Sequence, residues 1–401
     1  MQKKKLMLLG GLRYLIPVIE SAHQLGVHVI TVDNVPGNIA HKYSDEHHYL
    51  SIVELEEILN LARQLHIDGI MSFAVDPGVV TASYVAEKMG LPFAGSYDNV
   101  RILQNKDLFR QFLTDHGFNV PLSGSYKTCE EAKKDIKRFG FPLIVKPTDS
   151  AGSKGVTRID SEEELEHAFA HALGNSISGN VIIEQFIEKR GCSSDSDSFT
   201  VDGKFIVTTF SAQRFDSEAE NPYTPSAYSW PSTFTEEEEA YLSAELQRLA
   251  DLLHLGTSIY NIETRIGTDG KPYIMEVSPR GGGNRLAAMT RYATGTDMIM
   301  AAVKAALGIP FELKQNPLNG HWAEVVLHSE EDGIFEGLQI SDDIAENVVE
   351  KDLWVKPGDR IHAFRGANDA IGTLVLRFEN ADTLENTLQS IRTQISLRIK
   401  Y

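Results

Sequence analysis

The chain is 401 residues long, 42% hydrophobic and 23% charged, a profile of a folded globular protein with room for two or three domains. A formal net charge of −18 excludes a broad basic face for a nucleic-acid backbone but leaves a local cationic pocket compatible with an acidic exterior. Only two cysteines, Cys129 and Cys192, occur, so neither a disulfide framework nor a cysteine-rich zinc site is expected and a reducing, cytoplasmic compartment fits.

The first residues, Met1 to Gly11, carry an apolar stretch too short for a signal peptide and read as a buried strand. Nothing downstream approaches the roughly 20 apolar residues of a membrane helix, so no membrane partner is expected. Strand and helix then alternate: strand 6–9, helix 16–25, strand 27–33, helix 55–64, strand 69–72. That order predicts a parallel sheet of Rossmann type within residues 1–103. Gly10-Gly11 falls on the first strand-to-helix turn, where it serves a tight turn or lets backbone amides hold an anion; the dinucleotide fingerprint Gly-x-Gly-x-x-Gly is missing. Asp76 precedes Pro77 and is expected to cap the next helix, with substrate contact as the other reading.

A second domain is expected over 104–312, opened by an amphipathic helix whose apolar residues Leu108, Phe109, Phe112 and Leu113 recur at helical spacing. The β-rich run 141–147 ends in Lys146-Pro147 and leads into Thr148-Asp149-Ser150-Ala151-Gly152-Ser153-Lys154-Gly155. Small residues let backbone N–H groups approach an anion, and Lys146 adds a point charge, although a lone loop of this kind is commonly a surface turn. The Walker pattern is absent. Strand 181–188 carries Glu184, Phe186 and Ile187. Residues 210–234 form a polar, aromatic, proline-containing stretch expected to be a long loop, a candidate lid with Arg214, Tyr228 and Trp230. Glu236 to Glu239 read as the acidic first turn of a helix with Thr235 as its N-cap.

The most informative stretch is the hairpin whose strands carry Glu263 and Glu276 around the turn Asp269-Gly270. Two hard-oxygen ligands on rigid strands, followed by Ser278-Pro279-Arg280 and three glycines, suit a magnesium-bound triphosphate with a cationic clamp; two solvated acids and a loop are the alternative. Asn284 and Arg285 follow, Arg285 being either a ligand for a second carboxylate or a surface residue at a helix start. Residues 313–401 read as a small α+β domain with strands 323–328 and 372–378 and a helix 383–395. The thirteen histidines show no metal-binding spacing, and no Gly-x-Ser-x-Gly elbow occurs.

Taken in order, Lys106, Lys146, the glycine-rich loop, Glu184, Glu263 and Glu276 with Arg280 resemble the ATP-grasp superfamily of carboxylate-amine ligases, over essentially the whole chain. The run 279–295 is similar to the branch that joins amino acids or similar small molecules. The resemblance implies a Rossmann-like pre-ATP-grasp domain, a two-lobed ATP-grasp domain and a small α+β C-terminal domain, an α/β and α+β architecture. It implies Mg-ATP, with manganese as an alternative ion, and small-molecule carboxylate and amine substrates; a homodimer is compatible. Lys106 and Lys146 would reach the phosphates, with Ser150, Gly152, Ser153 and Gly155 on a flap over them. Glu184, Phe186 and Ile187 would form the adenine hinge. Glu263, Glu276 and Ser278 would carry the metal, Arg280 would face the transferring phosphoryl group, and Arg214, Asn284 and Arg285 are substrate candidates. Two departures stand out: Ser193 replaces the acid that commonly binds ribose, with Asp195 or Asp197 as substitutes, and Ser278 replaces the usual asparagine. The implied reaction is amide-type ligation through an acyl phosphate. A bicarbonate-using, carboxylase-like enzyme and a non-catalytic ATP-binding protein are the alternatives.

Overall fold

The computed structural model describes residues 3–150, 154–219 and 221–400. Strands Lys5–Leu9, His28–Val32 and Gly69–Ser72 pair in parallel, with the short Glu46–His48 at one edge. Helices Ile16–Gln24, Leu55–Leu65 and Asp76–Met89 cover both faces, so Leu6 to Leu9 are wholly buried, as a central parallel strand requires. The expected Rossmann-type alternation is present, with bounds within a residue or so. Gly10 has φ +121°, and a side chain there would meet Val75 at 2.7 Å, so the turn itself demands glycine.

The middle of the chain forms two antiparallel sheets. Strands Ser123–Tyr126, Val181–Gln185, Leu143–Pro147 and Thr157–Ile159 make the smaller lobe. Helices Cys129–Asp135 and Leu165–Gly174 close over it around Phe139, Leu143, Phe169 and Val181. The larger lobe orders strands Lys204–Val207, Ser194–Val201, Ser258–Ile266 and Pro272–Ser278. Helix Glu236–Leu252 backs this sheet; Thr235 and Glu238 form a reciprocal capping box at its start, matching the reading of the acidic run.

The stretch 210–234 corrects the sequence reading. It is not a loop but a β-hairpin, Ala212–Phe215 with Pro225–Trp230, and Tyr228 and Trp230 are buried in it. Pro225 opens its strand, a position that needs no ladder N–H, so proline-rich composition concealed an aromatic strand. This hairpin joins strands His321–Leu327, Gly372–Phe378 and Val348–Leu353 in a five-stranded sheet that crosses the expected 312/313 boundary. The helix expected over 383–395 also ends early: Ala381–Gln389 gives way to the single turn Ile391–Gln394. From Ile395 the alternation Ile395, Leu397, Ile399 has the period of a strand, and Ile395–Lys400 pairs with Gly333–Ile340. Helix Met298–Ala306 returns to the first domain, where Met298 and Val303 share a core with Leu6, Val18 and Ile19.

Candidate functional site

Glu263 and Glu276 are direct cross-strand partners, so both carboxylates leave the same face of the hairpin. The ladder shifts register just after Glu263, where a bulge is free to re-aim the side chain. Lys106, in the first turn of Lys106–Asp115, brings Nζ to 3.9 Å from Glu276 and donates to the Ser150 carbonyl at 2.9 Å. Arg265 stands 3.5 Å from Glu263. Among the described residues, no three histidine, cysteine or acidic side chains converge on one metal position.

Ser278 is fully buried, donates its hydroxyl to Asp76 at 2.9 Å and accepts from Gln104 at 2.7 Å, so it helps to hold Asp76 in place. Asp76 in turn does not cap its helix: Val75 occupies the N-cap and no side-chain cap bond forms. Its carboxylate grips Arg280 through Nε at 2.9 Å and Nη2 at 2.7 Å. Burial alone would raise the Asp76 carboxyl, yet Arg280 outweighs it and holds the group below the usual carboxylate range. A buried guanidinium is the stronger claim on that carboxylate than an exposed helix N–H.

Arg280 also donates to the Asn261 side-chain oxygen at 3.0 Å and to the Gly281 carbonyl at 3.1 Å, so the guanidinium is fixed from three sides. Asn261 passes the link on, donating to Asp195 at 2.7 Å and to Asp197 at 3.4 Å. The Gly282 N–H donates to Asp197 at 2.8 Å, while the second Asp197 oxygen has no partner. Burial pushes both acids up to about 7, reinforced at Asp195 by the nearby Glu263 charge. Asn261 and Glu263, like Asp195 and Asp197, lie two apart on facing strands, a period-2 signal present in the sequence. Arg110, Gln104 and Asn261 were not anticipated, because each acts only through partners distant in sequence.

At Gly281 the glycine turn admits no side chain. A Cβ on Gly281 would lie 2.2 Å from the Phe73 ring, and its carbonyl accepts from the Ala74 N–H at 2.9 Å. Gly281→Ala is therefore expected to cost about 1–3 kcal/mol in urea unfolding by overpacking. A loss below about 0.5 kcal/mol would show that Phe73 swings aside freely.

The cationic side of the cleft is built on Glu184. This buried carboxylate pairs with Lys146 and with Arg110 Nε at 3.0 Å. Burial would raise its carboxyl, but Arg110 and Lys146 together hold it at about 2. Lys146 is thus an ion-paired residue at the end of its strand, not a free point charge. Ser150 hydrogen-bonds the Asn175 carbonyl, and Gly155 has φ +71° with Asn175 and Pro147 crowding its Cβ position. Gly152 and Ser153 lie outside the described residues. The Phe186 N–H donates to Pro142 and the Ile187 carbonyl accepts from Arg265, while Arg158 lies over the Phe186 ring. Ser193 is wholly buried, and its carbonyl accepts from the Gln213 N–H at 2.8 Å.

Of the substrate candidates, Arg214 is paired with Glu385 and bonds Ser229 at 2.7 Å. Asn284 bridges Tyr14 and Tyr228, accepting from the first at 3.2 Å and donating to the second at 2.9 Å. Arg285 ion-pairs with Glu350 at 2.7 Å and donates to Thr373 at 3.0 Å. Asn284 and Arg285 follow the glycine turn in sequence, and Arg214 is engaged with helix Ala381–Gln389.

With the glutamate pair on one hairpin face and the locked arginine in place, residues 139–288 match the family model for the ATP-grasp domain. Residues 139–288 thus form an ATP-grasp domain, and the whole chain shares its fold with the solved structures that follow. Its structure is similar to that of L-amino acid ligase from Bacillus licheniformis, with a TM-score of 0.83 at 21% identity over 100% of both chains. It is also similar to phosphoribosylglycinamide synthetase from Anaerococcus prevotii, with a TM-score of 0.77 at 20% identity and full coverage of both. In sequence it is 24% identical over 287 residues to the carbamoyl phosphate synthase large chain of Thermoanaerobacter sp. (strain X514), covering 71% of this chain and 26% of that one. The chain thus spans about a quarter of the length of this curated relative. Among the described residues no helix is long and apolar enough to cross a membrane.

Proposed function

We propose that the protein is an ATP-dependent carboxylate-amine ligase. ATP phosphorylates a substrate carboxylate, an amine attacks the acyl phosphate, and ADP and phosphate leave. The observation that carries this reading is the Glu263–Glu276 pair on one face, flanked by Lys106 and the immobilised Arg280, within a matched ATP-grasp domain. Like charges directly opposite on a sheet repel, and a divalent cation relieves this, so the residues present fit magnesium or manganese. Glu263 and Glu276 would hold that ion, and it would neutralise phosphate charge as transfer proceeds.

The remaining groups act by preorganised charge. Lys106 and Lys146 would meet the phosphates, the loop 150–155 would supply backbone amides, and the Phe186 and Ile187 backbone would border adenine. Arg280 cannot wander, because Asp76 and Asn261 fix it, so its charge stands ready without reorganisation as the acyl phosphate forms. Asn284 and Arg285 lie on the substrate side. The domain division proposed is 1–103, 104–312 and 313–401, with the hairpin 212–230 lent to the third unit's sheet.

Mg-ATP at about 100 times its Kd should stabilise the parent by about 2.7 kcal/mol, read as a raised Tm, and Lys146→Ala should remove most of that shift. An equal shift in the variant takes Lys146 out of the nucleotide site. The reaction itself is tested by ADP release over paired amino acids, purine precursors and bicarbonate with ammonia. Release requiring both an organic acid and an amine supports the ligase. Release with bicarbonate and no organic acid replaces that reading with the carboxylase-like one, and ATP binding without release under any pair replaces it with a non-catalytic role.

A further inference from the structure

The five-stranded sheet places one row of side chains in register across its width: Gln213 opposite Tyr228, Tyr228 opposite Glu324, Glu324 opposite Val375, and Val375 opposite Glu350. Cross-strand neighbours share a face, so Tyr228, Glu324 and Glu350 look the same way. That face meets the glycine turn. The Tyr228 hydroxyl lies 3.3 Å from Asp195 and accepts from Asn284, and Glu350 holds Arg285. Tyr14 closes the group, with its hydroxyl on Asn284 and its ring edge-on to Trp354 at 6.1 Å.

Glu324 stands out in this row. Its residue is completely buried, and neither carboxylate oxygen has a hydrogen-bond partner. A carboxyl removed from water with nothing to bond is among the more costly arrangements in a folded protein, whereas replacing it by an apolar residue of similar shape is often neutral or stabilising. The residues around it are less enclosed: Tyr14, Gly283, Asn284, Arg285, Glu350 and Trp354 are each partly open to solvent. Glu324 is therefore a buried, unpartnered acid next to Tyr228 in the row, one side chain removed from Asp195 and the Asn261–Arg280 link. An ammonium group supplies both missing features, three N–H donors and a positive charge.

We propose that Glu324 receives the ammonium group of the amine substrate, making this group of residues the amine subsite. The proposal rests on the ligase reading and adds the subsite that the reading left open. Burial, opposed by Arg285 and assisted by Glu350, pushes the empty Glu324 carboxyl up to about 8. The charged and titratable groups facing it are Tyr14, Tyr228, Arg285 and Glu350. At neutral pH the empty acid is therefore largely protonated, and binding an ammonium requires it to release that proton to solvent. Affinity for the cation then rises with pH from about 6 to about 8, and binding at pH 7 is accompanied by proton release.

The test is calorimetric titration of the full-length protein with ethanolamine and with its neutral counterpart ethylene glycol, in two buffers of different ionisation enthalpy. The parent is expected to bind ethanolamine with proton release and to ignore ethylene glycol. Glu324→Gln should weaken ethanolamine by about tenfold or more and abolish the pH dependence, while keeping its Tm at or above the parent's and its Mg-ATP shift intact. Equal response to the two probes, an unchanged affinity in Glu324→Gln, or no ethanolamine binding up to about 50 mM in the parent each overturns the proposal. Loss of the Mg-ATP shift in the parent would strike the ligase reading instead, and the two failures are read separately.

Discussion

Glu276→Gln is expected to lower substrate-dependent ADP release by at least about 100-fold while leaving the melting temperature within a degree or two of the parent's. The substitution keeps the side-chain shape and removes the charge. Glu276 is partly open to the cleft and its nearest cation, Lys106, is 3.9 Å away and already bonded to the Ser150 carbonyl, so little packing depends on that carboxylate. Glu263→Gln should cost less, because the remaining carboxylate can still hold a partly hydrated divalent ion. The pair also predicts which ion dependence changes: the concentration of magnesium needed for half-maximal release should rise in both variants, more in Glu276→Gln. Full activity in Glu276→Gln would make the two glutamates surface decoration and remove the observation on which the ligase reading stands.

How much of this was visible in the sequence depends on the range over which each residue acts. The Glu263–Glu276 pairing was legible because Asp269-Gly270 marks a local turn, and hairpin geometry then sets the partners. The capping box of Thr235 and Glu238 and the parallel N-terminal sheet were legible for the same reason, since both follow from spacing over a few residues. Asp76 was misread because its partners, Ser278 and Arg280, lie about 200 positions away, and a local rule assigned it to a cap. For Glu184 the strand was evident, but not that Arg110 and Lys146 would converge on it. At 210–234 composition competed with pattern. Three prolines suggested a loop, while Tyr228 and Trp230 carried the β signal that the sheet used. Glu324 left a readable trace, a single acid in the otherwise apolar run of its strand, which becomes meaningful only once burial is known.

Glu184→Ala is expected to destabilise the fold by about 3–5 kcal/mol, because it strands a buried Arg110 guanidinium beside a largely buried Lys146. Lys146→Ala should cost clearly less, since Glu184 keeps Arg110 as a charged partner and Arg110 also donates to the Met275 carbonyl at 2.8 Å. The two variants thus separate stability from nucleotide handling: Glu184→Ala should lose both, Lys146→Ala chiefly the Mg-ATP shift. The sign of the pH dependence follows from the depressed Glu184 carboxyl, about 2 in the fold against an ordinary 4.5. Its contribution is fully present above the ordinary value and is lost as pH falls through the folded one. Urea unfolding should therefore show the full difference between parent and Glu184→Ala near neutrality, shrinking from about pH 4.5 toward pH 2, where the protonated parent carries the same unpaired cations as the variant. A difference that is small at neutral pH, or that grows on acidification, would mean that water or the loop 150–155 reaches Arg110 and Lys146, and that the cationic wall of the cleft does not depend on Glu184.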